Sequence, residues 1–301
     1  MQYLHGILKN KPFSHHLLAI FMLMIAGIFM AGLTGRMLVY MFYGIDIAIE
    51  ESLDDIEDLQ IQNAYRILLP VNHAGMLILP VVLWAWLCGD KQKETLSLQK
   101  NTFLKPILLG ALVFVLSIPM ANLLLDVNLR LALPEQFSFM VQMNEENNKL
   151  STVLVYNTSI TVFMLNVFVF AFIPAISEEL MFRSFLQKKL TELFKNKHAA
   201  VFAASAAFSF FHMEVFYFLP RLFLGLLLGY LFLFSGNIKY SMCAHFINNF
   251  ISLTLAWMVS QGNVDVAIES FGVHGFTEIA ISITGCLIGA ACLRRFKKYF
   301  D

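Results

Sequence analysis

Charged residues are scarce in this sequence. Only 14% of its 301 residues are Asp, Glu, Lys or Arg, whereas 58% are hydrophobic and the mean hydropathy is +0.68. A water-soluble domain usually carries about 25% charged and about 45–50% apolar residues. The shortage of charge therefore excludes an ordinary soluble domain and predicts a protein whose surplus apolar surface faces lipid.

Features that would indicate other classes of protein are also missing. The 21 basic residues balance the 21 acidic ones, so no net charge favours nucleic acid as a partner. No HExxH zinc motif is present. The four cysteines form no CxxC pair and no disulfide framework, and we expect them to be reduced packing residues; they are Cys88, Cys243, Cys286 and Cys292.

Long apolar runs, in contrast, fill most of the chain. Eight runs approach the ~20 residues with which a helix crosses a bilayer. They lie at about 17–41, 67–88, 107–125, 152–176, 199–213, 216–235, 241–260 and 276–293. The runs do not alternate as barrel strands do, and a lipid-facing segment must satisfy its own backbone hydrogen bonds. We therefore predict an all-α fold, a polytopic membrane helical bundle with about eight transmembrane helices.

The charges between these runs are distributed unevenly. Fifteen of the 21 cations fall in the N-terminal segment, in the alternate connections 88–106, 187–198 and 236–240, and in the tail after residue 293. The other connections include the acidic stretch 46–58. By the positive-inside rule, both termini are expected to be cytoplasmic. The prediction is a multi-pass integral protein of a bacterial plasma membrane.

Two adjacent glutamates, Glu178 and Glu179, follow the fourth run directly, and Arg183 comes shortly after them. Ionisable groups at membrane depth are expensive and indicate function, although solvated charges at a helix end are the alternative. Residues four apart share a helical face, so Glu179 and Arg183 can form an ion pair. Glu178 points about 100° away and stays available.

Two histidines on later runs extend this pattern. His212 ends the fifth run, and counting from a turn near residue 197 places it within about one turn of the level of Glu178. His245 and Asn249 lie four apart on the seventh run and share a face. A lone membrane histidine is usually a packing residue, but this combination on successive runs favours a catalytic site.

Three motifs thus follow one another on separate runs: EExxxR (Glu178, Glu179, Arg183), FxxxH (Phe208, His212) and HxxxN (His245, Asn249). This ordered set resembles that of the CPBP intramembrane proteases, a family that includes the CAAX prenyl proteases and the bacteriocin-processing or immunity proteins also called Abi. The resemblance covers roughly 155–260. We accordingly divide the chain into N-terminal transmembrane helices without an assigned motif (1–150), a catalytic core (151–260), and a last helix with a basic cytoplasmic tail (261–301).

The resemblance implies an endopeptidase that hydrolyses a peptide bond in a membrane-associated or lipidated peptide or protein. Glu178, helped by His212, would activate water. His245 and Asn249 would stabilise the oxyanion of the tetrahedral intermediate. The remaining motif residues, Glu179 and Arg183, would form a positioning pair. The implied partners are a peptide or protein substrate and the lipid bilayer, with no nucleic acid.

Two alternatives stay open at this point. Glu178, His212 and His245 are the residue types of a catalytic zinc site, and the family has been described both as metalloproteases and as glutamic proteases. We prefer the glutamic mechanism without a cofactor, because Asn249 is a poor zinc ligand but a good oxyanion donor. The second alternative is a non-catalytic peptide-binding or bacteriocin-immunity protein on the same scaffold.

Overall fold

The computed structural model describes residues 4–46, 58–89, 91–98, 101–131, 138–156 and 159–301, and all regular structure in these ranges is helical. The main helices are α1 Phe13–Tyr43, α2 Leu59–Leu87, α3 Leu104–Leu129, α4 Ser138–Val155, α5 Ile160–Phe194, α6 Lys197–Phe211, α7 Phe218–Ser235, α8 Ile238–Ser260 and α9 Gly275–Lys297. Short helical turns form at Gln92–Thr95, Val215–Tyr217 and Val266–Ser270. The predicted polytopic helical bundle is confirmed. Most of the acidic stretch 46–58 lies outside the described residues.

Seven helices in the described ranges are long and apolar enough to cross a membrane, namely α1, α2, α3, α5, α7, α8 and α9. The sequence predicts eight, and the difference is α6. With 15 residues it is about 22 Å long, shorter than the roughly 30 Å of a hydrocarbon core. Helix α6 nevertheless packs along α7 inside the bundle.

The fourth predicted run, 152–176, has the wrong boundaries. Helix α4 ends at Val155, and α5 begins at Ile160 and continues to Phe194. In the sequence, the two glutamates interrupt the apolar run and so mark its end. In the structure, the helix continues through them, and both side chains are buried within the bundle. The predicted polar connection 126–151 also contains most of α4, an amphipathic helix whose polar residues hid it from a search for apolar runs.

Both termini lie at the same end of the bundle. Leu8 donates its backbone N–H to the carbonyl of Leu87 (3.0 Å), which joins the start of the chain to the end of α2. The N–H of Ile238, at the start of α8, donates to the carbonyl of Ser97 (3.1 Å), ten residues after α2 ends. Phe296, near the end of α9, packs against the first turn of α8.

A buried arginine ties the opposite end together. Arg66 of α2 is 3% exposed, and its Nη2 donates to the carbonyl of Leu154 (2.8 Å) at the end of α4. Its Nε donates to Oδ1 of Asn166 on α5 (3.0 Å), and the Asn166 amide also donates to the Leu154 carbonyl (2.7 Å). Asn166 thus makes interhelical hydrogen bonds, and α4 is anchored at its C-terminal end.

Three π-helical segments interrupt the long spans. One occupies Ala74–Ile78 within α2, and two occupy Val167–Phe172 and Leu180–Gln187 within α5. Such segments bond residue i to i+5, re-aim the side chains beside them and occur frequently at functional sites. The segment at Leu180–Gln187 begins immediately after Glu179.

We expect the stability of the protein to depend on the close approach of α1 and α2 at Gly27. A Cβ on Gly27 would overlap the carbonyl of Gly75, whereas a Cβ on Gly32 of the same helix would meet nothing within 4 Å. Gly27→Leu should lower the free energy of unfolding by about 1–3 kcal/mol, the usual effect of overpacking. Thermal unfolding in detergent measures this, and Gly32→Leu is the matched control. Equal melting temperatures of the two variants would contradict the contact.

Candidate active site

A charged cluster lies inside the apolar bundle on α5. Glu178 is 7% exposed, and Glu179 and Arg183 are fully buried. Nε of Arg183 lies 3.2 Å from Oε2 of Glu179. The guanidinium carbon of Arg183 is 5.4 Å from the ring centre of Phe208, the aromatic residue of the FxxxH motif. The solvated-charge alternative for this segment is therefore wrong, since the three side chains are enclosed by protein.

The other oxygen of Glu179 holds a histidine from α8. Nδ1 of His245 lies 3.2 Å from Oε1 of Glu179, and the imidazole is 6% exposed. Because an ionised carboxylate only accepts hydrogen bonds, this contact assigns the Nδ1 proton of His245. Glu179 therefore joins Arg183 on its own helix to His245 on another and fixes the orientation of the imidazole ring.

Glu178 faces two histidines. Its Oε2 lies 3.7 Å from Nε2 of His245 and 3.9 Å from Nε2 of His212. Nδ1 of His212 donates to the carbonyl of Phe208 (2.8 Å), because only the protonated nitrogen can bond to a carbonyl. The Nδ1 atoms of both rings are thus engaged by acceptors, and both Nε2 atoms are directed at the same carboxylate oxygen.

Asn249 lies beside this cluster on α8. Helix α8 is regular through this region, so Asn249 shares a face with His245 four residues earlier. Oδ1 of Asn249 accepts a hydrogen bond from Nδ2 of Asn248 (3.3 Å). The amide nitrogen of Asn249 is therefore the group left to act as a hydrogen-bond donor toward the cavity described below.

Register explains how α8 brings His245 to Glu178. The hydroxyl of Ser184 on α5 donates to the carbonyl of Leu96 (2.6 Å), and the N–H of Ile238 donates to the next carbonyl along the chain. Ser184 and Ile238 therefore lie at one level. Glu178 is six residues from this level and His245 is seven, in antiparallel helices, so the two side chains meet.

The hairpin of α5 and α6 brings His212 to the same level. Its turn is tight: Lys195 adopts a left-handed conformation (φ 55°), and Oδ1 of Asn196 accepts the N–H groups of His198 and Ala199. Glu178 lies more residues from this turn than His212 does. The π-helical segment within α5 compensates, because i to i+5 bonding places more residues in each turn.

These side chains line one cavity of about 530 Å³. Helices α5, α6, α7 and α8 contribute walls, and so do α2, α3 and α4. The lining is Leu69, His73, Phe114, Asn147, Leu150, Ser151, Phe170, Pro174, Glu178, Phe208, His212, Glu214, Arg221, Leu224, Leu228, His245, Asn248 and Asn249. Ten of these eighteen residues are polar or charged, so polar groups from several helices converge on one space inside an apolar bundle.

Sequence reasoning missed several residues of the cavity wall. Glu214 and Arg221 form an ion pair, and the Arg221 guanidinium lies 5.1 Å from the ring centre of Tyr217. Asn128 of α3 holds this connection by donating to the carbonyl of Val215 and accepting the N–H of Leu219. The available signal was Pro220 and the polar patch from Glu214 to Arg221, which suggest a connection that dips back into the membrane.

The zinc alternative rests on Glu178, His212 and His245. Metal-binding histidines are commonly held through their other ring nitrogen, as both rings are here. Within the described residues, however, no group of three or more His, Cys, Asp or Glu is arranged to hold a metal ion. The donor set as placed does not fit a preformed metal site, and no step below passes through a metal.

With this geometry established, the chain can be compared with known protein families. Residues 160–251 match the family of Rce1-like type II CAAX prenyl endopeptidases. The predicted resemblance to the CPBP and CAAX proteases is thereby confirmed over this segment. No curated protein and no solved structure has significant similarity to the chain.

The segment that matches the CAAX endopeptidases, residues 160–251, contains all seven motif residues and runs from the start of α5 to the middle of α8. Together with the seven apolar spans, the match supports an integral, multi-pass membrane protein. Walls contributed by α2, α3 and α4 lie outside the CAAX endopeptidase segment. The N-terminal region 1–150, to which no motif could be assigned, therefore helps to enclose the cavity.

We expect the buried Glu179–Arg183 pair to be a major determinant of stability. Arg183→Met leaves the Glu179 carboxylate buried without its counter-charge and should lower the free energy of unfolding by about 3–5 kcal/mol. The double variant Glu179→Gln/Arg183→Met removes both charges and should recover part of the loss. Denaturant unfolding in detergent measures both.

Asp126 and Arg130 supply the matched control for this experiment. They have the same i,i+4 spacing and a 2.8 Å contact, but the Arg130 side chain is 74% exposed. Arg130→Met should change stability by no more than about 1 kcal/mol. A loss in Arg183→Met as small as that in Arg130→Met would show that the buried pair is not required for folding.

Proposed function

We propose that this protein is an intramembrane endopeptidase in which Glu178 activates water for attack on a peptide carbonyl. One observation carries the proposal: Oε2 of Glu178 faces the Nε2 atoms of His212 and His245 in a cavity within an apolar bundle. The match to CAAX prenyl endopeptidases supports the same reaction class.

The first step is attack by water. A water molecule between Glu178 and His212 can donate one hydrogen bond to Oε2 and the other to Nε2, which leaves its oxygen lone pairs directed into the cavity. As the oxygen–carbon bond forms, the carboxylate takes the proton, in the manner of a general base. The contact of His212 Nδ1 with the Phe208 carbonyl keeps Nε2 in the accepting form required.

The second requirement is a donor for the oxyanion that forms on the carbonyl oxygen. Asn249 supports this role because its Oδ1 accepts from Asn248 and its amide N–H groups stay available. His245 contributes from one turn earlier through Nε2, and because Nδ1 already donates to Glu179, this role requires a proton on both ring nitrogens. Preorganised donors of this kind accelerate acyl transfer by about 10²–10³-fold each.

Collapse of the intermediate completes the reaction. The carbon–nitrogen bond breaks, and the proton held by Glu178 passes to the leaving amine, which regenerates the carboxylate. Glu179 and Arg183 take no proton in this scheme. They position His245 through the 3.2 Å contact with its Nδ1 and so hold Nε2 toward Glu178.

The substrate class follows from the surroundings of the cavity. Lining residues such as Leu69, Phe170, Leu224 and Leu228 are apolar and the helices around them are embedded in lipid, which favours a membrane-associated or lipidated peptide. The orientation proposed is cytoplasmic for both termini. The end of the bundle that holds them carries Arg294, Arg295 and Lys297 in the last turn of α9.

The competing proposal is a non-catalytic peptide-binding or immunity protein on the same scaffold. A binder requires the cavity, but it does not require two imidazoles directed at one carboxylate oxygen. The two proposals differ in what the Glu178 carboxylate does, because a binder can tolerate an uncharged isostere there and a protease cannot.

Glu178→Gln is the first test of the protease. Replacement removes the proton acceptor at nearly constant volume, and the rate of peptide cleavage should fall by about 10²–10⁴-fold or more. Proteoliposomes with quenched fluorescent peptides, and comparison of membrane peptides from wild-type and variant cells, measure this loss. Glu192→Gln, an exposed site on the same helix, is the control. Equal cleavage by wild type and Glu178→Gln would contradict the proposal.

Metal removal is the second test. We expect cleavage to persist after exhaustive dialysis against a chelator, with bound metal far below one equivalent per chain. The zinc alternative predicts loss of cleavage on chelation and recovery when zinc is added back. Metal content by mass spectrometry and cleavage rate are measured on the same sample, so that residual metal cannot account for residual activity.

A further inference from the structure

A third histidine lines the cavity from a helix outside the CAAX endopeptidase segment. His73 of α2 lines the cavity one helical turn after Leu69, and Glu178 and His212 line the same cavity. Nδ1 of His73 lies 3.0 Å from the hydroxyl of Ser177 on α5, an interhelical hydrogen bond.

The contact with Ser177 determines which nitrogen of His73 is the acceptor. The Ser177 hydroxyl donates its own proton to the carbonyl of Pro174 (3.2 Å), so it accepts from the His73 ring. Nδ1 of His73 is then protonated, and Nε2 on the opposite edge of the ring carries a lone pair. Ser177 is fully buried and directly precedes Glu178, which couples the orientation of His73 to that of the carboxylate.

Nε2 of His73 is thereby a fixed acceptor without an assigned role. Within the described residues, the bond to Ser177 is the hydrogen bond that His73 makes, and it engages Nδ1. The neighbouring Leu69 is apolar. His73 is only partly buried and lines the cavity, so Nε2 is placed to accept a hydrogen bond from a group that enters it.

We propose that Nε2 of His73 accepts a hydrogen bond from a main-chain N–H of the peptide substrate, an inference that rests on the proposed function. A peptide presents both a carbonyl and an N–H to the walls around it. Asn249 on α8 offers a donor for the carbonyl, and His73 on α2 offers an acceptor for the N–H. The two helices bind complementary groups of one main chain, and Ser177 is a positioning residue for His73.

Two conservative variants of His73 separate this role from a purely structural one. The amide of Asn occupies the position of Nδ1 and can keep the Ser177 contact, whereas the amide of Gln reaches the position of Nε2. If His73 binds substrate, His73→Asn should raise KM by about tenfold with little change in kcat, and His73→Gln should stay near the wild-type value. If His73 only supports Ser177, the order of the two variants reverses.

The measurement is steady-state cleavage of one fluorescent peptide in proteoliposomes, with melting temperatures recorded for each variant. Ser177→Ala should raise KM in the same direction as His73→Asn by a smaller factor, because the ring loses its fixed tautomer. A reversed order, equal KM values for wild type and His73→Asn, or a loss confined to kcat would overturn the inference and leave the protease intact. Equal turnover by wild type and Glu178→Gln would instead overturn the proposed function itself.

Discussion

The buried carboxylate of Glu179 is the constraint on which the site depends. A fully buried charge is tolerated only with compensating partners, and Glu179 has a guanidinium at 3.2 Å and an imidazole N–H at 3.2 Å. These partners come from α5 and α8, so satisfying the charge also fixes the distance between the two helices. His245 is oriented as a consequence, and its Nε2 reaches the neighbouring Glu178.

The apolar composition makes this arrangement specific. In a bundle with few charges, polar side chains inside the membrane have few alternative partners, because lipid offers none and most facing residues are aliphatic or aromatic. Arg66 is likewise a buried charged group with partners on other helices, at the other end of the bundle, where it donates to Asn166 and to the carbonyl of Leu154. The two polar clusters hold α5 at two levels, one at Asn166 and one at Glu179.

The sequence was informative where its pattern is periodic and uninformative where geometry is irregular. Hydropathy located the long helices, and i,i+4 spacing related Glu179 to Arg183 and His245 to Asn249. Hydropathy did not locate the end of α5, because buried charges interrupt the apolar run. Nothing in the amino-acid composition marks the π-helical segments. Helix α4 was not predicted, because its polar residues prevent it from forming an apolar run in the sequence. No motif in the sequence marks His73, because tertiary packing alone brings it beside Ser177 and Glu178.

Different regions of the chain contribute different chemical groups to the cavity. The segment that matches the endopeptidase family supplies the groups that we propose to act on water and on a carbonyl, and in that role they must keep fixed mutual distances for any peptide bond. The walls from α2 and α4 contact the same space but include no carboxylate among the lining residues. The apolar wall that a substrate would meet is shared among regions, with Leu69 from α2, Phe170 from α5 and Leu224 from α7. The groups of the proposed chemistry, in contrast, lie on or next to α5, α6 and α8.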